Sequence, residues 1–200
     1  YQAPGLIGSI ALWKTDYSNR IVRTFDEAEN LFLTRNVGDV TLQGFDGQVG
    51  WSPFEKLSVT GSVTYTDSEV KSDLPNGTSG GVPVFIPTAG NQLVETPDWQ
   101  YGLRVAYTVG AFDLGLQGKY VGDRFSNDIN TEVAPHYTTF DLDVRYNLAS
   151  LGNGASYLQF NVINLFDTEY LGDISTSTTG TASYQLGAPR TAMVTLRASF

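Results

Sequence analysis

Apolar and polar residues alternate with period two along most of this chain. Over Thr139 to Tyr146, the residues Phe140, Leu142, Val144 and Tyr146 fall on one face of an extended segment, and Asp141, Asp143 and Arg145 on the other. Ala192, Val194, Leu196, Ala198 and Phe200 alternate in the same way with Met193, Thr195, Arg197 and Ser199. So do Leu57, Val59, Val63 and Tyr65, then Leu103, Val105, Tyr107 and Val109, then Leu114, Leu116 and Tyr120, each against polar neighbours. Helical spacing accounts for none of these runs. Eight strands are predicted, at about 6–18, 36–51, 57–69, 98–109, 112–124, 136–147, 156–170 and 184–200. In the second, Val40 and Leu42 lie out of phase with Phe45, Val49 and Trp51, and the break at Gly44 predicts a β-bulge.

The connections alternate in length. Short ones lie at 52–56, 110–111 and 149–155, long ones at about 19–35, 70–97, 125–135 and 171–183. Long connections rich in Gly, Ser, Thr, Asn and Pro would be unusual inside a compact soluble domain. Strands of 12 or more residues also exceed the usual five or six, and suit the crossing of an apolar layer. Aromatic residues near the strand ends, among them Tyr107, Phe112, Tyr120, Tyr146, Tyr157 and Tyr170, fall where interfacial girdles form. Alternation alone leaves a soluble β-sandwich open, with the same aromatics forming a carbohydrate-binding platform. Length and turn asymmetry favour an antiparallel transmembrane β-barrel.

Composition narrows the partners. Charged residues make up 16% of the 200 positions, against roughly 25% in soluble domains, and the net charge of −9 argues against nucleic acid. With no Cys and one His, no Cys- or His-based metal site is expected, and no cofactor is called for. Asp167, Glu169 and Asp173 carry hard oxygen ligands, but without the spacing of a cation-binding loop. The chain opens at Tyr1 without a signal-peptide pattern, which is expected of a piece of an exported protein whose leader lies upstream. Gly77, Thr78, Ser79, Gly80 and Gly81 formally spell the G-x-S-x-G of hydrolases. That elbow needs a strand entering a helix and a histidine base, whereas this one sits in a loop with only His136 elsewhere, so no enzyme is expected.

The run Leu158 to Tyr170, LQFNVINLFDTEY, resembles the penultimate strand of TonB-dependent outer-membrane receptors, whose N-L-F-D-x-x-Y signature falls on Asn164, Leu165, Phe166, Asp167 and Tyr170. Gly187, Ala188, Pro189 and Arg190 resemble the family's G-x-P-R before a last strand ending on an aromatic residue, here Phe200. Asn36, Val37 and Gly38, followed by Gly44, Phe45 and Asp46, also look like a strand of that family. The resemblance implies the C-terminal portion of a barrel of about 22 strands, so that the whole chain, 1–200, is barrel and the plug domain and coupling box lie elsewhere.

It further implies an energy-coupled importer of a scarce nutrient in the outer membrane, by default a ferric siderophore, with a carbohydrate or other neutral solute as the alternative. The implied partners are membrane lipid and lipopolysaccharide, the plug, the TonB complex, the barrel-assembly machinery acting through Phe200, and a small-molecule substrate. Candidate ligand contacts are Trp99, Tyr101, Arg124, Phe125, Tyr137, Tyr170 and Tyr184, near the long-connection end and able to stack or carry charge. An aromatic girdle facing lipid headgroups is the competing role for the same rings.

Overall fold

The computed structural model describes every residue except 1, 19–20, 27–30, 37, 80, 149–155 and 200. In chain order the strands begin with β1 (Gln2–Ala3), β2 (Leu6–Tyr17), β3 (Ile21–Asp26), β4 (Leu31–Asn36), β5 (Val40–Phe54) and β6 (Leu57–Val70). Next come β7 (Leu74–Ser79), β8 (Val82–Ile86), β9 (Trp99–Val109), β10 (Phe112–Val121), β11 (Arg124–Phe125) and β12 (Val133–Ala134). The last are β13 (Tyr137–Asn147), β14 (Tyr157–Ile163), β15 (Leu171–Ser175), β16 (Ser183–Leu186) and β17 (Thr191–Arg197). One antiparallel sheet takes the order β1-β2-β5-β6-β9-β10-β13-β14-β17, and four two-stranded hairpins, β3-β4, β7-β8, β11-β12 and β15-β16, rise from its long connections. Among the described residues all regular structure is β, and the sheet is open, β1 and β17 being its edges.

Register puts the apolar series on one face. Leu12 pairs with Phe45, Phe45 with Tyr65, and Tyr65 with Trp99. Further along, Leu116 pairs with both Val105 and Leu142, Leu142 with Val162, and Phe160 with Val194. Most of this face stays wholly or partly exposed, Leu12 at 81% and Leu196 at 68%, with Val162 covered at 7%, so the face awaits an apolar solvent. Two belts of rings bound it. At the long-connection end run Phe45, Tyr65, Trp99, Tyr101, Tyr120 and His136, with neighbouring centroids 4.7 to 6.0 Å apart. At the other end Phe112 meets Tyr146 at 4.9 Å, and Trp51 and Phe54 are exposed at the same end of β5. A strand rise of about 3.3 Å per residue, tilted by about 40°, separates Phe112 from Tyr120 by roughly 20 Å, most of the roughly 25 Å height of a barrel's apolar band.

The turn between β9 and β10 shows how the short end closes. Val109 faces Phe112 across Gly110 and Ala111, and Gly110 takes φ 59° at the first turn position, where a type II′ hairpin requires a glycine-like conformation.

Several boundaries differ from the expected ones. The second strand starts at Val40, because Leu31–Asn36 folds back on Ile21–Asp26 as a hairpin. The penultimate strand stops at Ile163 and not at Tyr170, and the stretch expected as one final strand is split between β16 and β17. The bulge expected at Gly44 is absent: register runs unbroken from Val40–Val70 to Trp51–Val59, and the irregularity lies between Trp51 and Phe54. Gly44 serves close approach, since a Cβ there would lie 1.9 Å from the Tyr65 carbonyl oxygen and 3.1 Å from the Trp13 ring.

The change of phase has another origin, which is depth. Beyond the ring belt the outer face carries Thr41, Gln43, Asp67 and Glu69, while Val40 and Val70 on the inner face are buried beneath the loops. The apolar side switches faces where the strands leave the membrane.

Candidate functional site: the polar inner face and the loop-side rim

The inner face follows from the other half of the alternation. Arg104 on β9 donates from Nη2 to Asp143 Oδ1 on β13 at 2.8 Å, reaching across β10. It can do so because the intervening residue is Gly115, where a Cβ would stand 2.4 Å from Asp143 and 2.6 Å from Arg104. Nearby, Arg145 donates from Nε and Nη2 to Gln159 Oε1, at 2.9 and 2.8 Å, and lies 4.4 Å from the centre of the Tyr157 ring. Thr60, Ser62, Thr64, Gln100, Arg104 and Lys119 help line a concavity of about 450 Å³. This is a wet, charged wall whose charges are partly paired within it.

The N-L-F-D-x-x-Y residues form a staple at the rim. Asn164 and Asp167 take φ 52° and 56°, a left-handed conformation that Asn and Asp tolerate better than other side chains, and β14 ends there. Asn164 is almost fully buried; its Nδ2 donates to the carbonyls of Thr168 and Ala188, and its Oδ1 accepts from the Thr168 amide. Its own N–H donates to Asp141 Oδ1 at 2.8 Å, which makes that inner-face carboxylate a cap for the turn. The Leu165 amide donates to the Phe140 carbonyl, and Phe166 packs edge-on against the Phe140 ring at 5.4 Å. Asp167 accepts from the Arg190 amide at 2.8 Å, and Pro189 stands next to that junction. A Cβ on Gly187 would overlap the Tyr170 ring at about 2.0 Å, so the glycine is the seat on which the tyrosine lies.

Tyr170 stacks on Tyr137 with centroids 4.3 Å apart, and the Arg124 guanidinium lies 5.7 Å from the Tyr137 ring centre. Arg124 is buried; its Nη2 donates to the Leu171 carbonyl at 2.8 Å, while its Nε has no hydrogen-bond partner. Phe125 is half-buried and its carbonyl accepts from the Glu95 amide. The Tyr184 hydroxyl donates to Ser126 Oγ at 2.8 Å. Five of the seven residues expected as ligand contacts are thus gathered at the rim.

Trp99 and Tyr101 are not among them. Both belong to the ring belt on the apolar face, stacked at 5.8 Å, because their parity on β9 is that of Leu103 and Val105. Their side chains lie on the apolar face, opposite Arg104 and Lys119.

The loop carboxylates divide into two kinds. Glu95 is held above the ordinary glutamate range by burial and then by Asp173, with Arg124 opposing, and Asp98 is raised by burial and then by Asp67. Glu132 is held low, chiefly by the Ala182 amide donating to it at 2.9 Å, with Tyr184 and Ser126 adding to the effect. Among the described residues no group of three or more His, Asp or Glu is placed to hold a metal ion. His136 bonds Asp123 at 3.1 Å and rests against Tyr120, while Gly80 and Phe200 lie outside the described residues.

Comparison with known proteins places this arrangement. Residues 1–165 match the family model described as "TonB dependent receptor-like, beta-barrel", and the chain belongs to that family. Its strands are therefore part of an outer-membrane β-barrel, the apolar face toward lipid and the charged face toward the lumen. The chain is 28% identical over 150 residues to the ferrichrome outer membrane transporter/phage receptor of Escherichia coli K12, covering 72% of this chain and 18% of that one. It is 36% identical over 138 residues to the metal-pseudopaline receptor CntO of Pseudomonas aeruginosa PAO1, covering 68% and 18%. The chain spans about a fifth of these relatives' length.

Among solved structures, the siderophore receptor PiuA of Acinetobacter baumannii superimposes with a TM-score of 0.73 at 24% identity, covering 97% of this chain and 26% of that one. The ferric yersiniabactin uptake receptor FyuA of Yersinia pestis gives 0.74 at 18% identity, covering 97% and 27%. At these identities the likeness is one of fold.

Proposed function

We propose that the chain is the C-terminal wall of an energy-coupled outer-membrane receptor that imports a ferric siderophore. The observation that carries this reading is its kinship, over two thirds or more of its length, with receptors named for ferrichrome, ferrioxamine and metal-pseudopaline, on a sheet that is polar inside and apolar outside. In this reading the long connections face the outside of the cell and the short turns the periplasm. Tyr137 and Tyr170 offer the ligand a stacked aromatic wall, with Arg124, Phe125 and Tyr184 holding it in place. The inner face meets the protein's own N-terminal plug domain, whose movement depends on the TonB complex. The outer face meets lipid and lipopolysaccharide, and Phe200 serves the barrel-assembly machinery during insertion. The chain catalyses no reaction.

The acidic loop surface, with Asp73, Glu95, Asp98, Glu132, Glu169 and Asp173 against few exposed cations, favours a neutral or cationic chelate over an anionic catecholate. Radiolabelled iron uptake by cells whose sole siderophore receptor is the full-length protein tests this. Uptake from ferrichrome or ferrioxamine B exceeding that from a ferric catecholate is expected. Absence of uptake from all three, with growth restored on a carbohydrate instead, would replace the siderophore by a neutral solute.

A further inference from the structure

The connections 87–98, 122–136 and 164–190 are joined by polar side chains, a few of them sealed from water and the rest half-buried. Ser126 and Thr88 have no exposure and Asn127 has 2%. Between the first two connections, Asn91 Nδ2 donates to the Asp128 carbonyl at 2.9 Å, the Gln92 amide donates to Asn130 Oδ1 at 2.7 Å, and Asn130 Nδ2 returns to the Gln92 carbonyl at 3.0 Å. Between the second and third, the Asp128 amide donates to the Ser177 carbonyl at 3.1 Å and the Ala182 amide to Glu132. Arg124 and Tyr184 add their own bonds across the same joint. Asn127 sits between, its Oδ1 accepting from the Thr131 amide and its Nδ2 donating to Thr131 Oγ1 and, at 3.4 Å, to the Gly180 carbonyl of the third connection. Two small apolar clusters, Leu74–Ile86–Ile129 and Ala134–Ile174–Ala182, also draw on these loops.

We infer that these three connections are one cooperative unit, a preformed plate of the receptor's mouth that opens all at once or not at all. Separate lids would keep their polar groups in water. Here each connection supplies partners that another needs, and removing those that meet Arg124, Ser126, Asn127 or Asp128 strands a buried donor or acceptor. Loops that ordinarily belong to the least protected part of a protein would then share the protection of a small folded domain.

Hydrogen exchange on the full-length receptor in lipid nanodiscs, free of ligand, tests the inference independently of what the receptor carries. Asn127→Ala, which removes a side chain of the middle connection only, is expected to speed exchange by about tenfold in all three connections together, with β9 and β13 unchanged. Faster exchange confined to 122–136 overturns the proposal. Should that variant fail to assemble, Tyr184→Phe removes a single hydroxyl. Matched acceleration that extends to 87–98 supports one unit, and acceleration confined to 122–136 and 164–190, the two connections this bond bridges, overturns it.

Discussion

In the sheet, large apolar side chains such as Leu12, Ile10 and Val194 are the exposed ones, whereas in the loop plate the side chains sealed from solvent include Ser126, Thr88 and Asn127. The contrast comes from the solvent on each side. Lipid solvates the outer face of the strands and so does the work of a core, leaving only the backbone ladder and the inner polar face to be satisfied within the protein. The plate stands in water and has too few apolar residues to seal itself by burial. It is closed instead by directed bonds between amides, hydroxyls and carboxylates, which specify one arrangement at a modest net gain for each.

The largest expected effect lies on the lipid side. Leu142→Arg or Leu196→Arg should cost about 2 to 4 kcal/mol in unfolding from vesicles, while charge already sits at the neighbouring Asp143 and Arg197. If labels at Leu142 and Leu196 prove water-accessible and labels at Asp143 and Arg197 contact lipid, the two faces have been assigned the wrong way round.

Next comes the staple. Asn164→Ala should cost about 1 to 3 kcal/mol, because it leaves the Ala188 and Thr168 groups unpartnered and puts a strained residue at φ 52°. Asn164→Gly relieves the backbone but not the lost bonds. It should therefore fall between the wild type and the alanine variant in the same unfolding series.

A smaller effect separates two carboxyls of the plate. Glu132 is depressed, so its contribution is present at neutral pH and disappears as pH falls below the ordinary value of about 4.3 and through its own. Glu95 is raised, so its charge opposes folding at neutral pH and the cost is lifted as pH falls through its higher value. Glu132→Gln should thus loosen the plate and Glu95→Gln tighten it at pH 7, both differences fading in acid, as read by proteolysis across pH. Effects of the same sign would break the distinction.

The smallest belongs to the ring belt. Trp99→Leu should cost about 1 kcal/mol or less, through lost ring pairing with Tyr65 and Tyr101, and leave ligand affinity unchanged. A fall in affinity with normal stability would return Trp99 to the ligand site.

The strand faces were legible because lipid and lumen impose a strict period of two on residues such as Phe140 through Tyr146. That rule holds only at membrane depth. At Val40 and Leu42 the environment reverses, water outside and loops inside, and a change of solvent was read as a change of register. The end of β14 was hidden because Leu165 and Phe166 continue an apolar run, while the signal to stop lay in the left-handed tolerance of Asn164 and Asp167. The rim cluster of Arg124, Tyr137 and Tyr170 was found by residue type and position near the long connections. Trp99 and Tyr101 satisfied the same criteria and lay on the opposite face, a distinction their parity already contained. The plate left little trace, because Ser, Asn and Gly compose flexible loops and interlocked ones alike. The partners that distinguish the two lie some 50 residues away, as Glu132 does from Ala182.

In the main sheet each strand pairs with the strands beside it and no others. Such an arrangement is effectively one-dimensional, closer in its accounting to a repeat array than to a globular core. A hairpin can then be duplicated or lost without any distant layer being repacked, so barrels of different girth lie within short evolutionary reach of one another. The plate, whose three connections interlock, makes that kind of editing costly above the strands it joins, β6 through β17.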